Sequence, residues 1–218
     1  MESKYSVLSD KIIVEYMKNN KIIIEPFDIK NLNTSSYDVT LGPYYYRETK
    51  TRLSYYNMYS KDHVTKVWGK PQEATVMKHK FENIDPSEKI ILIKPGETIL
   101  CHTNEFIGGR NSVTTMMKSR SSCGRNFLEI CKCSGWGDCN YYNRWTMEIT
   151  NNSRYHTIPL VVGRRIAQIV FMETDGVLNN TYDHDGKYQT CNDLKQLKIN
   201  WKPDDMLPKM YLDYENKN

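Results

Sequence analysis

The chain has 218 residues, 30 basic against 26 acidic side chains, a formal charge of +4, and 39% hydrophobic residues. At ~150 residues per domain it is one large domain or one domain with an insertion. It is too apolar for a disordered chain and too weakly basic for a DNA-packing protein, though a local basic site for phosphates stays open. No apolar run approaches the ~20 residues that span a bilayer, and residues 1–10 lack the apolar stretch of a secretory signal. The six cysteines are therefore expected to be reduced thiols in a cytoplasmic compartment.

Ser9 caps a short helix in which Ile12, Ile13, Tyr16 and Met17 share one face, and Asn19-Asn20 ends it. Residues 22–24 read as a short buried strand broken by Pro26, and residues 36–46 as a strand interrupted by a Gly42-Pro43 turn. Residues 47–87 are polar, rich in Tyr and Lys, and carry no sustained period. They read as an insertion, partly ordered against a neighbour, with a hairpin near 64–68. Residues 89–94 and 97–102 flank Pro95-Gly96 as a hairpin. Further strands are predicted at 113–118, 145–150, 158–162 and 166–172, the last two about Gly163. Beyond 175 the chain is polar and tail-like. Many short strands, frequent Gly and Pro turns and few helices predict a mainly β fold, a barrel or a jelly roll.

Three segments carry chemistry. Residues 118–125 (KSRSSCGR) bring Arg120, Ser121, Ser122, Gly124 and Arg125 together. Guanidinium forks, hydroxyls and free backbone N–H groups suit a triphosphate, although a polar surface turn has the same composition. In residues 134–149 (SGWGDCNYYNRWTMEI), Gly135 and Gly137 flank Trp136 and allow close approach to a flat ligand. Asp138 precedes Tyr141 and Tyr142, aromatic surfaces for a base or sugar. Glu148 stands among Trp145, Met147 and Ile149; such a carboxylate is paired, functional, or turned outward from a half-exposed strand. In the tail, Lys187 and Tyr188 could close over a phosphate or remain solvated.

Several signatures are absent. Cys131, Cys133 and Cys139 cluster, but not with the paired C-x₂-C spacing of a structural zinc site. There is no zinc-deaminase signature, Walker A, G-x-G-x-x-G or G-x-S-x-G. Arg164-Arg165 reads as a turn, not a nucleic-acid patch.

In order and spacing, these segments resemble the dCTP deaminase family of the dUTPase-like superfamily. The resemblance rests on Leu8-Ser9-Asp10, Ile24-Glu25-Pro26-Phe27-Asp28, Ser36-Tyr37-Asp38-Val39-Thr40-Leu41-Gly42, Pro95-Gly96-Glu97, Arg120-Ser121-Ser122 with Gly124-Arg125, Met147-Glu148-Ile149, Ile166-Ala167-Gln168 and Lys187-Tyr188-Gln189. It implies a homotrimer of distorted jelly-roll β-barrels of the dUTPase-like type, each with a short N-terminal helix and with active sites between subunits. Residues 175–218 would form a closing segment and tail. Neither nucleic acid nor membrane is an implied partner.

The implied reaction is zinc-independent hydrolytic deamination of dCTP to dUTP and ammonia, supplying dUTP and dUMP for thymidylate synthesis. Glu148 matches the base that activates water for attack at C4, and Arg125 and Ser121 match the groups that position it. Arg120, Ser122 and Gln168 match phosphate contacts; Lys187, Tyr188 and Gln189, with Tyr182, match the closing segment. Asp138 would accept from the 3′-hydroxyl, and the Tyr141 ring would exclude a 2′-hydroxyl. Mg²⁺ would ride on the triphosphate, with no metal held by the protein. dUTP and dTTP are the other nucleotides such a site could take. Gly135-Trp136 leans toward bifunctional members, which also cleave dUTP to dUMP and pyrophosphate, with Asp138 activating the second water. A non-catalytic nucleotide-binding homologue is the reading from another class. Ser134 stands where alanine is common, and Cys191 where a second glutamine is usual.

Overall fold

The computed structural model describes residues 6–177, 182, 186–189 and 191–213. In chain order the elements are α1 (Asp10–Lys18), β1 (Ile22–Glu25), β2 (Leu32–Asn33), β3 (Ser36–Arg47), α2 (Lys61–Trp68), β4 (Gln72–Glu73), β5 (Thr75–Val76), β6 (Lys89–Ile93), β7 (Thr98–Gly109), β8 (Val113–Ser119), α3 (Ser121–Arg125), β9 (Leu128–Ile130), β10 (Trp136–Gly137), β11 (Tyr142–Asn151), β12 (Ile158–Val161), β13 (Arg165–Glu173) and α4 (Leu194–Asn200). A large curled sheet runs β10-β8-β13-β3-β7-β11-β9, with β1 added on β7. A small sheet runs β12-β6-β5. This is the distorted jelly roll expected of a mainly β chain.

The amphipathic pattern places α1 as predicted, with Ile12, Ile13 and Tyr16 buried; Ser9 stands at the N-cap but its side chain makes no capping hydrogen bond, and Asn20, at φ 55°, turns the chain into β1. Strand β3 corrects the expected Gly42-Pro43 turn, since it runs straight through both residues. Pro43 has no N–H for the ladder, and the register against β7 shifts between Leu41 and Tyr45 to pass it. Gly42 is required there, because a Cβ would lie 2.1 Å from the His102 ring.

Pro95-Gly96 does turn the chain, with Gly96 at φ 71° and Glu97 N donating to Lys94 O at 3.1 Å. The two flanking strands, however, are not a hairpin. β6 pairs with β12 and β5, while β7 pairs with β1, β3 and β11. The turn passes the chain from the small sheet to the large one. Gly163 does the same between β12 and β13.

Within residues 47–87, the hairpin expected near 64–68 is the helix α2. Its β-branched residues read as strand, but Val64 and Val67 lie three apart and are buried together. Ser60 caps it by accepting from His63 N at 3.4 Å, and Asp62 and Lys66 pair at 2.6 Å one turn apart. The tail is also more structured than expected. Leu197 of α4 packs with Ile23, Phe106 and Tyr142, and Met206 packs with Tyr46 and Leu100. The main core gathers Leu8, Ile13, Tyr37, Ile99, Ile107, Met147, Ile149 and Phe171, each worth about 1.5–3 kcal/mol when fully buried.

Candidate functional site

Strand alternation fixes Glu148. Its neighbours Met147 and Ile149 are fully buried in the core, so the period of two turns Glu148, Thr146 and Arg144 to the opposite face. That face opens on a cavity of about 1060 Å³. Among the predicted residues, Trp136, Asp138, Tyr141, Glu148, Tyr182, Lys187 and Tyr188 line it.

Burial pushes the Glu148 carboxyl above the usual carboxylate range, against a hydrogen bond from Ser134 and the charge of Lys132. Ser134 Oγ stands 3.4 Å from Glu148 Oε2 and 2.6 Å from Cys131 O. The loop that carries it has three consecutive left-handed residues, Cys131, Lys132 and Cys133, at φ 67°, 36° and 67°, which L-residues rarely adopt. Cys131 N donates to Glu148 O at 3.0 Å, tying this loop to β11.

Asp138 and Tyr141 bracket a turn. Tyr141 N donates to Asp138 O at 3.0 Å, and Asn140 takes the left-handed position at φ 68°. Asn140 Oδ1 accepts from Asn111 N at 2.7 Å. The Tyr141 ring packs edge-on against Tyr182 at 4.9 Å and Trp145 at 5.3 Å between centroids. Burial pushes the Tyr141 hydroxyl far up, and that of Tyr182 up to about 12. Lys187 Nζ pairs with Asp213.

Gln189 is buried and lies off the cavity lining. Its Oε1 accepts from Tyr142 N at 2.8 Å, and its Nε2 donates to Asn140 O at 2.9 Å and Asn192 Oδ1 at 3.0 Å. The amide anchors the returning chain beneath the Tyr141 turn. Gly135 is likewise off the lining; it fits where a Cβ would meet Met117 O at 2.4 Å.

The arginine–serine segment is elsewhere on the chain. Arg120 follows β8 as the N-cap residue of α3, and Ser121, Ser122 and Arg125 sit exposed on that helix. None of the four lines the cavity. The buried Asp38 carboxylate holds Arg120 Nε at 3.2 Å and Arg165 Nη1 at 3.3 Å. Gln168 lies opposite Asp38 on one side and Lys118 on the other. One chain thus keeps two regions apart, the cavity lined by Asp138 and Glu148 and the segment of Arg120, Ser121, Ser122 and Arg125.

Sequence reasoning did not assign Lys132, Arg144 or Trp201 to the cavity, which they line. Arg144 was accessible from alternation with Glu148. Trp201, whose ring stacks 4.6 Å from the Arg144 guanidinium, returns from a tail with no local signal. Arg165, read as a turn residue, is bound to Asp38 instead. Among the described residues no group of three or more His, Cys, Asp and Glu could hold a metal ion, and no described helix is long and apolar enough to cross a membrane.

The sequence pattern of dCTP deaminase-like proteins matches residues 7–174. A dUMP-forming dCTP deaminase of Hydrogenobaculum sp. is 33% identical over 171 residues, 78% of this chain and 84% of that protein. One from Methanobrevibacter smithii is 29% identical over 216 residues, 97% of this chain and 99% of that protein. The 2′-deoxycytidine 5′-triphosphate deaminase structure from Agrobacterium tumefaciens superposes with a TM-score of 0.56 at 17% identity, over 81% of this chain and 51% of that one; it supports the fold. The Hydrogenobaculum and Methanobrevibacter relatives correct the expected product. They are dUMP-forming enzymes, not deaminases that stop at dUTP, so the leading expectation gives way to the bifunctional alternative. The matched pattern, the relatives and the fold together show that the chain belongs to the dCTP deaminase-like family, a family of hydrolases within the dUTPase-like superfamily.

Proposed function

We propose that this chain converts dCTP to dUMP, with deamination and diphosphate cleavage carried out on one bound nucleotide. The observation that carries the reading is that Glu148 and Asp138 line the same cavity, Asp138 opening the Tyr141 turn and Glu148 on β11. In the first step dCTP and water give dUTP and ammonia. Glu148 takes a proton from water as the oxygen attacks C4, then returns it to the leaving nitrogen. A half-buried carboxyl with a raised pKa suits that exchange. In the second step a further water, activated by Asp138, cleaves between the α- and β-phosphates to give dUMP and pyrophosphate. Asp138 would also accept from the 3′-hydroxyl, and the Tyr141 ring would fill the space of a 2′-hydroxyl.

Ser121 and Arg125 lie off this chain's cavity, so in this reading they reach Glu148 from a neighbouring subunit of a homotrimer. Arg120, Ser122 and Gln168 would then meet the triphosphate, which carries its Mg²⁺ as part of the substrate. Lys187 would exchange Asp213 for a phosphate as residues 175–218 close over the nucleotide. Trp136 would border the base beside Gly135. The chain reads as one domain with 47–87 as an insertion, working in a cytoplasm.

The test is incubation with dCTP and Mg²⁺, resolving dCTP, dUTP and dUMP by chromatography. Direct appearance of dUMP supports the reading. Accumulation of dUTP with no dUMP sinks it.

A further inference from the structure

Residues 131–133 set the Ser134 hydroxyl between two acceptors, Cys131 O at 2.6 Å and Glu148 Oε2 at 3.4 Å. A serine hydroxyl has one proton and two lone pairs. With its proton on Cys131 O, Oγ offers a lone pair to Glu148, which suits a protonated carboxyl. With the proton swung to Oε2, it donates to the carboxylate. The swing orphans nothing, because Ser134 N also donates to Cys131 O, at 2.5 Å. Among the described residues, Ser134 is the side chain that hydrogen-bonds this carboxylate.

We propose that Ser134 is a positioning residue for Glu148, holding Oε2 against the loop in either protonation state so that Oε1 exchanges the proton with water and the leaving nitrogen. The proposal rests on reading Glu148 as the base of the deamination. Among the neighbouring side chains the task falls to Ser134, beside the backbone N–H of Glu148 itself, which also favours the ionised carboxylate. β7 sets the apolar Leu100 opposite Glu148. Cys131 is held as a neutral thiol by burial and by the Glu148 charge, and Tyr141 as a neutral phenol by burial. Lys132 acts on Glu148 through its charge while standing 3.8 Å from Glu129 Oε2. Asp138, Arg144, Tyr182, Lys187, Tyr188 and Asp205 line the same cavity with no hydrogen bond to this carboxylate.

The experiment compares Ser134→Ala and Ser134→Thr by the pH profile of ammonia release. Beside it runs a carbon-13 NMR titration of the Glu148 carboxyl in the free protein. Ser134→Ala is expected to lower kcat about three- to tenfold at neutral pH with KM little changed. The ionised base loses its donor, so the acid limb of the profile and the carboxyl titration both move to higher pH. Ser134→Thr keeps a hydroxyl and is expected to restore both. If Ser134→Ala superimposes on an active wild type in profile and titration, the proposal is overturned. If the wild type itself releases no ammonia, the reading of Glu148 as base fails, and the proposal falls with it.

Discussion

The cavity around Glu148 and the patch around Arg120 are built on opposite physical terms. Glu148 belongs to a ten-residue strand and is flanked by core residues; its carboxyl is desolvated and its titration raised. Ser121, Ser122 and Arg125 lie on a five-residue helix in the open, with Arg120 steered by the buried Asp38. Proton transfer near neutral pH needs a carboxyl taken away from water. A polyanion needs donors it can reach, held in a fixed direction by something beneath them. The fold supplies the first with strand alternation and the second with one buried carboxylate shared by two arginines.

If that division is right, the largest effect comes from the cavity half. Glu148→Gln keeps the shape and removes the proposed base. Ammonia release is expected to fall by about 10²–10⁴-fold, with dCTP affinity by calorimetry nearly unchanged. Normal turnover in this variant would break the comparison outright. Asp138→Asn separates the two steps within the same cavity. It is expected to slow dUMP formation by about 10²-fold or more and let dUTP accumulate on the chromatogram. Equal loss of both products would mean that Asp138 serves binding and not the second water.

The exposed half is expected to respond in affinity. Arg120→Ala removes one charge-assisted contact, worth about 1.5–3 kcal/mol, so the Kd for dCTP should rise roughly ten- to a hundredfold. Asp38→Asn leaves the arginine but removes its anchor and should give a smaller rise in the same direction. If Asp38→Asn binds as tightly as the unaltered chain, Asp38 does not orient Arg120.

The two halves also differ in how far they could be read from sequence. Glu148 was legible because Trp145, Met147 and Ile149 make its strand and its face a matter of local pattern. The same locality gave α1, β8 and β13. It misled where the answer depended on a distant partner. Residues 89–94 and 97–102 are strands about a turn, but their ladders close on β12 and on β3 and β11, far away in sequence. β-branched Val64 and Val67 signalled a strand, yet their common burial made a helix. Gln189 is polar and tail-borne, and nothing local shows that Tyr142 N and Asn140 O consume its amide. The separation of Ser121 and Arg125 from Glu148 is likewise a property of the folded chain alone.

The smallest effect follows from what burial costs. The folded-state pKa of Glu148 is raised above its unfolded value. Between those two values the folded chain binds more protons than the unfolded one, so stability falls as pH rises through that window. Above it, the ionised carboxylate is held in a desolvated site at a constant penalty. Below the unfolded value, near pH 4.3 for an unperturbed glutamate, both states are protonated and the penalty is gone. Glu148→Gln is neutral throughout. It should therefore raise Tm by about a few degrees at neutral pH, with the gain shrinking toward zero as the buffer is taken to pH ~4. Arg120→Ala, at the exposed half, should show no such pH-dependent gain. A Glu148→Gln variant that melts at the wild-type temperature across this range would mean that the carboxylate is better solvated than its burial implies. The contrast between the two halves would then rest on reach alone.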